Sequence, residues 1–113
     1  MPDLSTTELE LQWQERVKNG TYSPGILGVG HIRIMGRSGD TAIQFPRITR
    51  LSALGTLEPD EQYAVRVAQR TVEQAGEQQR TIFAINPAQA PERVTEFRPD
   101  AESLIVVARV AGG

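Results

Sequence analysis

The stretch that most constrains this chain's fold is Leu104 to Val110, Leu-Ile-Val-Val-Ala-Arg-Val, which runs on into Ala111-Gly112-Gly113. An aliphatic, largely β-branched run broken only by Arg109 suits a strand covered on both faces better than a solvated tail. A strand of that kind belongs in the middle of a sheet, so the remaining segments must supply neighbours for both its edges and a layer to cover it.

Those neighbours can be found upstream. From His31 the pattern has period two: Ile32 and Ile34 alternate with Arg33, Arg37-Ser38-Gly39-Asp40 supplies turn residues, and Thr41, Ile43 and Phe45 alternate with Ala42 and Gln44. This predicts a β-hairpin with one buried face, ended by Pro46. Residues 46–57 read as a crossing loop with a helical turn, whose Ile48, Leu51 and Leu54 can cap a core. Glu58-Pro59-Asp60-Glu61 then opens a helix, since proline suits the first position and acidic residues suit the positive end of the dipole. Ala64, Val67, Ala68, Thr71, Val72 and Ala75 fall on one face of it, with Gly76 as the expected C-cap. Thr81–Ile85 reads as a short apolar strand, Arg93 to Phe97 as a more polar edge strand, and Arg98 to Glu102 as the turn before the last strand.

The N-terminal part is of another kind. Ser5-Thr6-Thr7-Glu8 has a capping-box pattern, and Leu9, Trp13 and Val17 follow at helical spacing before Asn19-Gly20. This predicts a short amphipathic helix whose narrow stripe, with Trp13 as anchor, either packs on its own domain or docks on a partner. Gly20 to Gly30 reads as a glycine-rich linker or loop that lacks both the Gly-Lys-Ser/Thr of a phosphate loop and the G-x-G-x-x-G of a dinucleotide site. Two units result: residues 1–30, a helix and linker, and residues 31–113, one sheet domain.

Composition removes most chemistry. Twelve Lys and Arg stand against fourteen Asp and Glu, a formal net charge of -2, with a pI near 5.4. A nucleic-acid binder would carry a basic face, so none is expected. No apolar run approaches the ~18 residues of a spanning helix, and Met1-Pro2-Asp3-Leu4 does not begin a secretion signal, so no membrane partner and a cytoplasmic location are expected. There is no cysteine and one histidine. A metal site and a nucleophilic triad would both depend on His31, which reads instead as a half-exposed structural residue. No metal, no bound cofactor and no enzymatic activity are expected. Among the basic residues Lys18 is the single lysine, and guanidinium is the side chain that stays inert beside an activated acyl group.

Strand, strand, helix, strand, weak strand, central strand is an α+β order, with a mixed sheet crossed by one helix: the β-grasp, or ubiquitin-like, architecture, here with an N-terminal helical extension. The last twelve residues, from Glu102 through the aliphatic strand to Val110-Ala111-Gly112-Gly113, resemble the C-terminus of the prokaryotic ubiquitin-like sulfur carriers and modifiers. Residues 31–113 are similar to that family in element order and length. Ala108-Arg109 stands where the molybdenum-cofactor carriers usually have two prolines, and residues 1–30 extend beyond them.

The resemblance implies that Gly113, preceded by Gly112, is the group that reacts. A partner activating enzyme would use ATP to adenylate its carboxylate, for conjugation to a target protein through an isopeptide bond or, alternatively, for transfer of sulfur through a thiocarboxylate. An isopeptidase would then be a further partner. Glycines enter a narrow channel without side chains in the way. At about 3.3 Å per residue, Arg109 to Gly113 could project some 15 Å beyond the sheet. Arg109, Val110 and Ala111 would be the tail-recognition residues. The single lysine and the Trp13 helix favour conjugation. The alternative from another class is a non-covalent assembly subunit, which uses its bare sheet face, a sheet edge or the Leu9-Trp13-Val17 helix to bind a partner or its own copy.

Overall fold

A computed structural model describes residues 5–36 and 39–107, residues 39 and 40 by backbone only. The elements are α1 (Thr6–Asn19), β1 (Gly28–Gly36), β2 (Gly39–Arg47), a 3-10 helix (Leu51–Thr56), α2 (Pro59–Glu77), β3 (Thr81–Ile85), β4 (Glu92–Val94) and β5 (Ser103–Val107). The strands form one mixed, open sheet in the order β2-β1-β5-β3-β4. β1 and β5 are parallel, and the other neighbours are antiparallel. This is an α+β architecture.

The strand that organises the sheet lies at its centre. Leu104 and Val106 of β5 are fully buried, while Ile105 and Val107 on the opposite face are half-buried. The register lines up Ile34, Val106, Ile82 and Val94 across four strands, and the neighbouring row of Arg33, Ile105, Phe83 and Arg93 on the other face. The first row, together with Ile32, Phe45 and Leu104, packs against Val65, Ala68, Val72 and Ala75 of α2. Each large side chain buried here contributes roughly 1.5–3 kcal/mol. The run itself suits cover on both faces; α2 covers one, and the other, the bare face expected of an open sheet, is half-buried along β5.

Other boundaries shift for identifiable reasons. β1 takes in Gly28-Val29-Gly30, which composition assigns to the linker. Gly30 pairs with Phe45, and a Cβ on it would overlap the phenyl ring, so the glycine makes room for the largest fully buried side chain. Pro46 does not end β2. It lies within the strand opposite Val29, and β2 is an edge strand, where a missing N–H is tolerated.

Gly76 is not the C-cap of α2. The helix continues through Glu77, and Gln79, at φ 59°, takes the left-handed position. The buried face of α2 is rotated from the expected one: Val65 is fully buried, and Val67 and Thr71 lie at the margin. β4 is shorter than expected, and Phe97 beyond it turns into the core, edge-on to Phe45 at 5.3 Å. Ile48 is buried, and Leu51 and Leu54 of the 3-10 helix pack on the core as their spacing suggests. Arg37 and Ser38 of the expected turn lie outside the described residues.

Candidate functional site

The tail residues Arg109, Val110, Ala111, Gly112 and Gly113 lie outside the described residues, which end at Val107 with the last residue of β5. The fold places the root of that tail in the middle of the sheet, between β1 and β3.

The stripe of α1 is used within the chain. Ser5 caps the helix by accepting from the Glu8 amide, and Gly20, at φ 69°, closes it. Trp13 is 4% exposed, lies against Tyr22 with ring centroids 6.1 Å apart, and donates its indole N–H to the Gln44 carbonyl at 3.0 Å. Leu9 and Val17 beside it are half-buried. The helix packs along α2, and Trp13 closes part of the free edge of β2.

A polar junction ties the same helix to the start of α2. Asp60 and Glu61 are 1% and 0% exposed. Ser23 donates its amide (3.0 Å) and its hydroxyl (2.5 Å) to Glu61, and the Glu58 amide donates to it at 2.9 Å. Arg16, one-third exposed, sets its Nε 2.8 Å from Asp60 Oδ2 and an Nη 3.8 Å from Glu61. The Nε contact is an ion pair whose geometry falls short of a hydrogen bond, so Oδ2 has a counter-charge and no donor. Arg16 also donates to the Thr21 carbonyl at 3.2 Å.

Burial pushes the Glu61 carboxyl up. The Ser23 hydroxyl, the Ser23 and Glu58 amides and the Arg16 guanidinium pull it down further, and its net position is below the ordinary 4.5. A serine beside a carboxylate has the outline of a nucleophile and its base. The carboxylate is already met by the Ser23 hydroxyl, the Ser23 and Glu58 amides and Arg16, and these contacts clasp α1, the loop and α2 together. Sequence reasoning missed it. Asp60 and Glu61 read only as acidic residues suited to the helix dipole, although they continue the Ala64, Val65 and Ala68 face backwards at i-3 and i-4.

His31 is half-buried, 3.4 Å from the Gln44 amide nitrogen. On the same open face, Phe83, Ile85, Ile105 and Val107 are half-buried and Met35 is 45% exposed. A cavity of about 440 Å³ lies between α1, α2 and β2, lined by Trp13, His31, Ala42, Ile43, Tyr63 and Val67 among others. Among the described residues, no group of three or more His, Cys, Asp and Glu is placed to hold a metal ion, and no helix is long and apolar enough to cross a membrane. No protein-family model, curated protein or solved structure matches this chain.

Proposed function

We propose that the chain is a ubiquitin-like modifier with a β-grasp fold. The observation that carries this reading is the position of β5. The strand order β2-β1-β5-β3-β4, with β1 parallel to β5 and α2 between the second and third strands, is compatible with a β-grasp and supports this reading. Its central strand leads into Ala108-Arg109-Val110-Ala111-Gly112-Gly113.

In this reading the domain is a handle, and Gly113 is the group that reacts. On a partner activating enzyme, the Gly113 carboxylate oxygen attacks the α-phosphate of ATP, and pyrophosphate leaves. An amine nitrogen of the target then attacks the acyl adenylate, loses its proton and expels AMP, leaving an isopeptide bond. Sulfide in place of the amine would leave a thiocarboxylate, the sulfur-carrier variant. A non-covalent assembly role is the second reading, favoured by the half-buried Phe83, Ile85, Ile105 and Val107 on the open face.

Intact mass after incubation with ATP and an extract of the source cells separates these. Conjugation gives species heavier by a protein, joined through Gly113. Sulfur transfer gives replacement of one oxygen by sulfur. Deletion of Gly112 and Gly113 abolishes either. Unchanged mass across extracts from several growth conditions overturns the modifier reading in favour of assembly.

A further inference from the structure

The helix α1 is an addition to the sheet and its crossing helix, and it turns the step between α2 and the β2 border into a cavity of about 440 Å³, of which it is the third wall. That volume lies in the range of small-molecule sites, which are concave, mostly apolar and furnished with a few polar groups. The apolar lining comes from all three elements. Trp13 of α1 and Ala64 of α2 are buried, while Ile43 of β2 and Tyr63 and Val67 of α2 are half-buried.

The charge on the lining has one clear sign at its rim. Glu10 of α1, an exposed residue, supplies a carboxylate, and no arginine or lysine lines the cavity; Arg66 and Arg70 line the neighbouring cleft instead. Arg16 of the same helix is committed to Asp60 and Glu61. Glu10 itself has no ion-pair partner among the described residues, and the side chains of Gln14 and Tyr63 beside it make no hydrogen bond there. A buried carboxylate pair that is answered and a rim carboxylate that is not therefore lie on the same helix interface. Trp13 and Tyr63 add to the rim charge, because their ring types attract a cation over the face.

We propose that the cavity between α1, α2 and β2 binds a small primary amine in its ammonium form, with a ring-sized apolar body against Trp13, Ile43 and Val67 and the ammonium at Glu10. An ammonium has three donors and no acceptor, and the Glu10 carboxylate, the Gln14 amide oxygen and the Tyr63 hydroxyl oxygen are the acceptors that the lining leaves open. A carboxylate ligand would meet Glu10 with no guanidinium to offset it. The site does not involve Gly113.

The probe is 2-phenylethylamine, titrated into the full chain. Trp13 is the single tryptophan of the sequence, so its emission reports the cavity at a wavelength where the probe does not absorb. A saturable change is expected, with a Kd on the order of 1 mM or tighter for a ligand of this size. 2-Phenylethanol keeps the apolar body and loses the charge, and it should bind about threefold more weakly, the effect of one exposed ion pair; phenylacetate should bind more weakly still. Glu10→Gln should weaken the amine by about the same factor and leave the alcohol unchanged, and Glu10→Lys should reverse the preference towards phenylacetate. Because α1 is one wall of the site, the bound amine should slow hydrogen exchange in the α1 amides and leave β5 as it was. Deletion of Gly112 and Gly113 should change nothing, so failure of the modifier reading leaves this result intact. The proposal is overturned if the alcohol binds as well as the amine, if Glu10→Gln leaves the amine unaffected, if the slowed amides centre on Phe83 and Ile105, or if the emission change does not saturate.

Discussion

The two ends of α2 are held by different physics. At its C-terminal end Val72 and Ala75 pack on the apolar row of β1, β5 and β3, and close packing alone fixes the helix there. At its N-terminal end Asp60 and Glu61 are just as buried, but one arginine, one serine and two backbone amides hold them. An apolar contact is non-directional and tolerates small shifts. A buried carboxylate does not, because each unmet lone pair has a desolvation cost. The apolar end therefore sets how stable the domain is, and the polar end sets where α1 and its loop sit.

The largest predicted effect tests the apolar side. Phe45→Ala should cost about 3–5 kcal/mol, because the ring is fully buried among the sheet, α2 and Phe97. Gly30→Ala should cost about 1–3 kcal/mol in the wild-type background, since its Cβ would overlap that ring. With Phe45→Ala already present, the same change should be close to neutral. Denaturant unfolding of the four proteins in the cycle measures the coupling. Simple additivity would mean that Gly30 is there for another reason.

Arg16→Met is the matching test at the polar end, and it should cost about 2–3 kcal/mol. That is less than the 3–5 of a fully buried broken pair, because Arg16 is 33% exposed and part of its field is screened. The loss should be local. Amide exchange in α1 and around Ser23 should speed up, while β5 and β3 keep their protection. Equal loss of protection in β5 would show that the two ends do not separate in this way.

How much of this the sequence discloses follows the same division. The hairpin, the central place of Leu104 to Val107 and the helix that opens at Pro59 are legible, because apolar burial repeats with the period of each element. The face of α2 is less so. Val65 and Val67 are equally apolar, and only the sheet beneath decides that Val65 is buried. The clasp is invisible in the pattern: Glu61 meets Ser23 from 38 positions away, and nothing local marks either residue. Trp13 reads correctly as an anchor, but its partner is the Gln44 carbonyl, a backbone group with no sequence signature. Gly112-Gly113 stands out as a motif, while the row of Phe83 and Ile105 appears only once the register is known.

Trp13→Phe probes the clasp from its apolar neighbour. Phenylalanine keeps most of the packing against Tyr22 and removes the N–H, so the cost should be near the ~1 kcal/mol of one net hydrogen bond. Exchange of the α1 amides should rise modestly. A loss above that of Arg16→Met would put the weight of the junction on the indole instead of the charges.

The smallest effect is the most diagnostic, because it depends on pH. Burial raises the Glu61 carboxyl, and the hydroxyl and amide of Ser23, the amide of Glu58 and Arg16 lower it by more, so its folded value lies below the 4.5 it has when exposed. Between those two values the unfolded chain binds more protons than the folded one, so stability rises with pH across that window. The contribution is complete above about 4.5 and disappears as the pH falls through the folded value. Ser23→Ala removes the hydroxyl and leaves both amides in place, which moves the folded value up towards 4.5. At neutral pH the variant should lose about 1 kcal/mol at most, the net contribution of one ordinary hydrogen bond, since both amides and Arg16 still meet the carboxylate. In acid below both values the two proteins should converge, since a protonated Glu61 no longer needs the second donor. Urea unfolding of both proteins at neutral and at acid pH measures this. A gap that stays constant across the titration would mean that the Ser23 hydroxyl acts by filling space, and that the junction is held by packing like the other end of the helix.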